Sequence, residues 1–179
     1  MDRIRAAIRP TDIVLALLLS ALGVWLMAED MGGSKDGTRI DSTSWLLIPV
    51  FLVATLPVVF RRVNLMAVIL VSAAAITVHD IAFDWVVRCG AGLPLTGALA
   101  YSAGRLLADR RQSVFALVLT IGVQALVLVR DSAAGLGVLP VTAGLAVIAW
   151  GAGWFVRSQL AKRSVPEQAP APLPAAAHV

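Results

Sequence analysis

Ionisable residues divide the chain into six long stretches that carry none: Ile13–Ala28, Ser42–Phe60, Val63–Val78, Cys89–Gly104, Gln112–Val129 and Ser132–Val156. Their lengths are 16, 19, 16, 16, 18 and 25 residues, together 110 of 179 positions, so they set the architecture. They are apolar on every side and rich in Leu, Ala and Val. A strand crossing a bilayer alternates polar and apolar positions over about ten residues; these runs do not, and read as helices. A helix needs about 20 apolar residues to cross hydrocarbon about 30 Å thick. A 16-residue run covers about 24 Å at 1.5 Å per residue, and flanking Arg side chains bridge so small a deficit by reaching to the interface. The pattern predicts an all-α integral membrane bundle of six transmembrane helices over residues 1–163. Residues 164–179 form a Pro/Ala-rich tail, in which Pro166, Pro170, Pro172 and Pro174 prevent a continuous helix. Such a tail is expected to be extended or disordered.

Composition agrees. Hydrophobic residues make up 59% and charged residues 15%, with mean hydropathy +0.84. A soluble domain is usually about 45–50% apolar and about 25% charged. A disordered chain and a nucleic-acid-binding domain are excluded. The single Cys excludes a disulfide framework or a cysteine zinc cluster within one chain.

The net charge of +4 takes its meaning from position. With the N-terminus in the cytoplasm and six spans, the inner segments hold Arg3, Arg5 and Arg9, then Arg61 and Arg62, then Arg105, Arg110 and Arg111, then Arg157, Lys162 and Arg163. The outer segments hold Lys35, Arg39, Arg88 and Arg130. An 11-to-4 split obeys the positive-inside rule, and seven of the eleven acids fall outside. The expected location is the plasma membrane, multi-pass, with both termini cytoplasmic. A cleaved signal peptide is the alternative for the first run. The stretch Met27-Ala28-Glu29-Asp30 offers no small-residue cleavage site.

Candidate chemistry is sparse. His79, Asp80, Asp84 and Arg88 form the main polar cluster, with the last three spaced i, i+4, i+8 on one helical face. The plainer reading is a wet outer hairpin with an Asp84–Arg88 ion pair, and Trp85 suits such an interface. The sharper reading is a proton site or a weak metal site. One His without a second favours no metal. Asp12 reads first as an N-cap and second as a partner for the Arg61-Arg62 turn. Arg61, Arg62, Arg110 and Arg111 are expected to set topology and meet anionic headgroups. Pro57 and Pro94 are candidate kinks. Gly137, Gly144 and Gly151 repeat every seven residues, and Ala149 and Gly153 form a small-xxx-small pair. Packing within the bundle is the first expectation for this face and dimerisation the second. Gln124 is expected to bond a neighbouring helix, and Cys89 to be inert. No triad, catalytic carboxylate pair, phosphate loop or dinucleotide fingerprint occurs, so neither an enzyme nor a cofactor is expected.

The segments IRPTDIVLALLL (Ile8–Leu19), ATLPVVFRR (Ala54–Arg62), LAYSAGRLLADRR (Leu99–Arg111) and WGAGWFVRSQLAKR (Trp150–Arg163), in that order, resemble the N-terminal membrane region of actinobacterial sensor histidine kinases. The resemblance covers about residues 5–163 and rests chiefly on Asp12, Leu56-Pro57, Arg61-Arg62, Tyr101 and Arg157. It departs at Arg61-Arg62-Val63-Asn64-Leu65, where the family usually has a Pro after the double Arg. No phosphoacceptor His on a dimerising helix and no Gly-rich ATP motif is present, and His178 sits in the Pro/Ala tail. The resemblance implies an input module without its own catalytic output, working as a homodimer or through a separate histidine kinase or other membrane partner. The alternatives are a small transporter or channel subunit, and an input region that has lost its output.

Overall fold

The structure, a computed structural model, describes residues 7–33 and 38–163. Arg3, Arg5, Lys35, Asp36 and the whole 164–179 tail therefore lie outside the described residues. The described chain is all-helical, with α1 at Pro10–Asp30, α2 at Leu47–Thr55, α3 at Leu65–Phe83, α4 at Cys89–Leu106, α5 at Arg110–Val129 and α6 at Leu139–Arg163. A 3₁₀ segment, Leu56–Phe60, continues α2, and another, Leu136–Val138, leads into α6. No strand forms among the described residues, and only an isolated bridge joins Val86 to Asp131. Each charge-free run of the sequence thus becomes a helical segment.

The helix starts follow local chemistry. Pro10 occupies the first turn of α1, where its missing N–H costs nothing. The Asn64 side chain accepts from Ala67 N at 3.0 Å to cap α3, and Asp109 accepts from Arg111 N at 3.0 Å to cap α5. Asp12 is not the N-cap of α1. That position belongs to Arg9, and Asp12 reaches back from the third helical position to Arg9 N at 3.1 Å.

Four helical segments are long and apolar enough to cross a membrane: Pro10–Asp30, Leu65–Phe83, Arg110–Val129 and Leu136–Arg163. The other two fall short for different reasons. The second run was expected to be helical from Ser42, but its helix begins at Leu47 and tightens to 3₁₀ geometry at Leu56. Pro57 explains the change, since it cannot donate the next intrahelical bond. The two parts of Leu47–Phe60 together rise only about 23 Å. In α4 four glycines, Pro94 and Arg105 dilute the apolar content of an 18-residue helix. Pro94 lies near the start of α4 and leaves the helix unbroken.

The core runs along the bundle axis through Met27, Phe51, Ile69, Ile76, Leu95 and Leu99, all essentially fully buried. Small residues permit the close packing of helices. A Cβ on Gly23 of α1 would come within 2.6 Å of the Phe51 ring. The tightest approach joins α4 and α6, the most extensive helix pair in the bundle. A Cβ on Gly104 would strike the Trp150 carbonyl, and one on Gly153 would strike the Tyr101 carbonyl. The two helices therefore meet backbone to backbone, with the Ala149/Gly153 pair facing Ala100 and Gly104.

Candidate functional site

Of the polar cluster expected around residues 79–88, His79, Asp80 and Arg88 are buried and only Asp84 is exposed. α3 continues past Val78 to Phe83, which carries His79 and Asp80 inward. The chain then turns sharply at Asp84, the one non-glycine residue with positive φ (54°) among the described residues. That turn ends the helix, so Asp80, Asp84 and Arg88 do not share a helical face. It swings Arg88 back beneath the end of α3, where its side chain is fully buried.

Arg88 spends four of its five side-chain donors on partners from three parts of the chain. Nε donates to His79 Nδ1 at 2.9 Å and lies 3.1 Å from Asp80 Oδ1. Its single N–H points at the imidazole, so the Asp80 contact is ionic and not a hydrogen bond. One terminal nitrogen donates to the Arg130 carbonyl at 2.8 Å, and the other to the Asp84 carbonyl at 2.7 Å and the His79 carbonyl at 3.3 Å. An Nδ1 that accepts from Arg88 leaves the imidazole proton on Nε2, the neutral tautomer. The ring is wedged edge-on between Phe51, at 5.7 Å, and Phe83, at 4.8 Å. The guanidinium occupies the Nδ1 side of the His79 ring, and Nε2 has no hydrogen-bond partner among the described residues.

The expected Asp84–Arg88 ion pair is replaced. The Asp84 carboxylate lies 3.4 Å from the Arg130 guanidinium, at the surface, and only the Asp84 backbone holds Arg88. Arg130 also donates to the Asp80 carbonyl at 3.1 Å. Asp131, which the sequence reading did not single out, organises the adjoining loops. One carboxylate oxygen accepts from Arg88 N and Cys89 N, both at 2.6 Å, at the start of α4. The other accepts from Ala133 N at 3.0 Å and Ala134 N at 2.8 Å. Asp30, at the end of α1, takes Val87 N at 3.2 Å. The signal for Asp131 was present: an Asp followed by small residues in a short hairpin is a local turn-former. Its second role, reaching α4, has no local signature. At the rim of this junction Arg39 lies over the Trp85 ring at 5.4 Å. Its hydrogen bond to Asp41, at 2.8 Å, holds that carboxyl below its usual range.

A second buried node sits at the opposite ends of the same helices. The fully buried Asp12 receives Arg61 Nε at 2.8 Å on one oxygen and Arg62 Nε at 2.6 Å on the other. Arg61 also donates to Ser102 Oγ at 3.1 Å, joining α1, the α2–α3 turn and α4. The second of the two roles weighed for Asp12 is therefore the one observed. Arg61 and Arg62 are committed to the fold, whereas Arg110 and Arg111 are exposed at the start of α5. Gln124 of α5 accepts from Thr96 of α4 at 2.7 Å, the expected interhelical bond.

The repeated glycines, Gly137 in the 3₁₀ segment and Gly144 and Gly151 in α6, are not used inside the bundle. A Cβ at Gly137, Gly144 or Gly151 would meet nothing within 4 Å. The interleaved Val141, Ile148 and Phe155 are 66%, 68% and 56% exposed, among the most exposed large apolar residues of the chain. The opposite face, through Thr142, Ala146 and Gly153, is the buried one. Packing within the bundle was the first expectation for the glycine repeat, and the structure reverses it. The seven-residue spacing identified one coherent face, but not which side of α6 the bundle would cover.

Comparison with protein-family models, with curated proteins and with solved structures finds no match to this chain.

Proposed function

We propose that this protein is a six-span plasma-membrane module with both termini in the cytoplasm, and that it acts through association rather than catalysis. α2 with its 3₁₀ continuation and α4 would be the two shorter spans, and the positive-inside distribution of Arg supports the orientation. The module would work as a homodimer or with a separate membrane partner. The resemblance of Asp12, Leu56-Pro57, Arg61-Arg62, Tyr101 and Arg157 to sensor histidine kinase input regions makes a two-component kinase the first partner to test.

The observation that carries this reading is α6. It is the longest helix, it is packed along one side only, and its outward face alternates open glycines with exposed Val141, Ile148 and Phe155. A helix buried all round has no surface left for association, and one covered only by lipid needs no glycines at seven-residue spacing.

Cysteine crosslinking in native membranes tests it. With Cys89→Ser as background, Ile148→Cys is expected to give a disulfide-linked dimer or a crosslink to a signalling component. Ala146→Cys, on the buried face, is expected to give neither. Absence of both products from Ile148→Cys and Val141→Cys refutes the association reading. The transporter or channel alternative draws on the buried ionisable residues His79, Asp80 and Arg88. It requires a flux that falls on Asp80→Asn or Asp84→Asn.

A further inference from the structure

Arg110 and Ser113 at the start of α5, with Trp150, Trp154 and Arg157 from the middle of α6 onward, line a cavity of about 350 Å³. That volume lies in the range of small-ligand pockets, about 300–1,000 Å³. The cavity opens at the end of the bundle that gathers Arg105, Arg110, Arg111, Arg157, Lys162 and Arg163. The single acid in the same stretches, Asp109, has its carboxylate engaged in capping α5.

The walls are held in place by contacts of their own. Ser113 Oγ donates to the Ala103 carbonyl at 2.8 Å and accepts from Trp150 Nε1 at 2.8 Å, which fixes the first indole. Arg157 donates to the Leu107 carbonyl from one terminal nitrogen, leaving most of its five donors free. The side chain of Arg110 has no hydrogen bond or ion pair among the described residues. Two guanidinium groups with unspent donors thus face one cavity walled by two indoles. Forked donors match phosphate oxygens. Trp side chains settle at headgroup depth, and basic pockets between spans take phosphorylated headgroups.

We propose that this cavity is a binding site for a phosphate-bearing anion, with Arg110 and Arg157 clamping the phosphate and Trp154 lying against what it is attached to. The proposal rests on residence in a membrane but not on the association reading, so either can fail alone. An anionic phospholipid headgroup and a soluble phosphate share this chemistry, and the test separates them.

The full chain in detergent is titrated with phosphatidylglycerol, phosphatidylcholine and inorganic phosphate, and bound species are counted by native mass spectrometry. Phosphatidylglycerol is expected to bind at least about tenfold more tightly than phosphatidylcholine. Arg110→Gln should weaken it about fivefold, the contribution of one basic residue at an anionic surface. Arg110 carries the test because Arg157→Gln also frees the Leu107 carbonyl and can disturb the fold. Arg111→Gln, one residue away and outside the cavity lining, should change binding less than about twofold. Displacement of the lipid by inorganic phosphate would identify a soluble anion as the occupant; no displacement would identify the headgroup. Equal affinity for the two lipids, an unaffected Arg110→Gln, or equal losses in Arg110→Gln and Arg111→Gln would overturn the site.

Discussion

Replacing Arg88 by Met keeps most of the side chain's length and removes its charge and donors. Three backbone carbonyls, those of His79, Asp84 and Arg130, lose the guanidinium, as does His79 Nδ1. Asp80 is left as a buried carboxylate without the cation 3.1 Å away. Breaking a buried pair by deleting one partner costs about 3–5 kcal/mol. Each orphaned neutral acceptor adds as much as about 1 kcal/mol. Interhelical hydrogen bonds within membranes average only about 0.6 kcal/mol, so the ionic part dominates. The expected loss is about 3–5 kcal/mol, a factor of about 10²–10⁴ in the folding constant. SDS-induced unfolding in mixed micelles, followed by circular dichroism, measures it. The decisive comparison is the double variant Arg88→Met/Asp80→Asn. If the loss comes from an abandoned charge, neutralising Asp80 restores at least about 2 kcal/mol. A single variant within about 1 kcal/mol of wild type, or a double variant no better than the single, refutes the description of Arg88 as the charge-balanced centre of this junction.

The remaining expectations concern other parts of the molecule. Asp12→Asn abandons both Arg61 and Arg62 and should cost about 3 kcal/mol in the same assay. Gly104→Ala and Gly153→Ala push a Cβ into facing backbone and should each cost about 1–3 kcal/mol. Gly144→Ala meets open space, so it should stabilise the isolated chain by about 0.5–1 kcal/mol through helix propensity; crosslinking at Ile148→Cys should fall if that face joins two copies. Asp84→Gly should stabilise by about 1 kcal/mol, because it relieves a positive φ at ψ −130° and gives up only a half-exposed contact with Arg130. A destabilised Asp84→Gly would mean that the carboxylate, not the backbone, holds the turn.

The helical segments were legible because the spacing of charges along the chain is itself the constraint that a bilayer imposes. Cys89 and Val129 were placed at helix ends with no shift, since an Arg adjoins each run there. The end that moved furthest into a charged stretch, that of α3, was decided by tertiary partners. α3 runs on to Phe83 because His79 and Asp80 find Arg88, and a charge that has found its partner no longer marks an interface. Asp12 illustrates the same limit. Its local role as a cap and its remote role with Arg61 and Arg62 are both consistent with sequence, and only the fold brings the turn to it. The glycines divided in two. Gly104 and Gly153, on different helices, each admit the facing helix's backbone, at Trp150 and Tyr101, and share no sequence period. Gly137, Gly144 and Gly151 share a period and touch nothing. Periodicity locates a face on one helix; what covers that face is a property of its neighbours.

The Arg88 junction also sets a timetable for synthesis. His79, Asp80 and Asp84 precede Arg88 by no more than nine residues, so the near half of its shell exists as soon as Arg88 leaves the ribosome. Asp131 lies 43 residues further on. At about 5–20 residues per second it arrives about 2–9 s later. During that interval the amides of Arg88 and Cys89 have no carboxylate to meet, and the α3–α4 hairpin must hold its buried cation with local contacts alone. Asp131 then closes the node once α5 is complete. A chain whose translation pauses between Arg88 and Asp131 waits longest in this half-made state, so slow codons there should cost more yield than the same codons placed after Asp131.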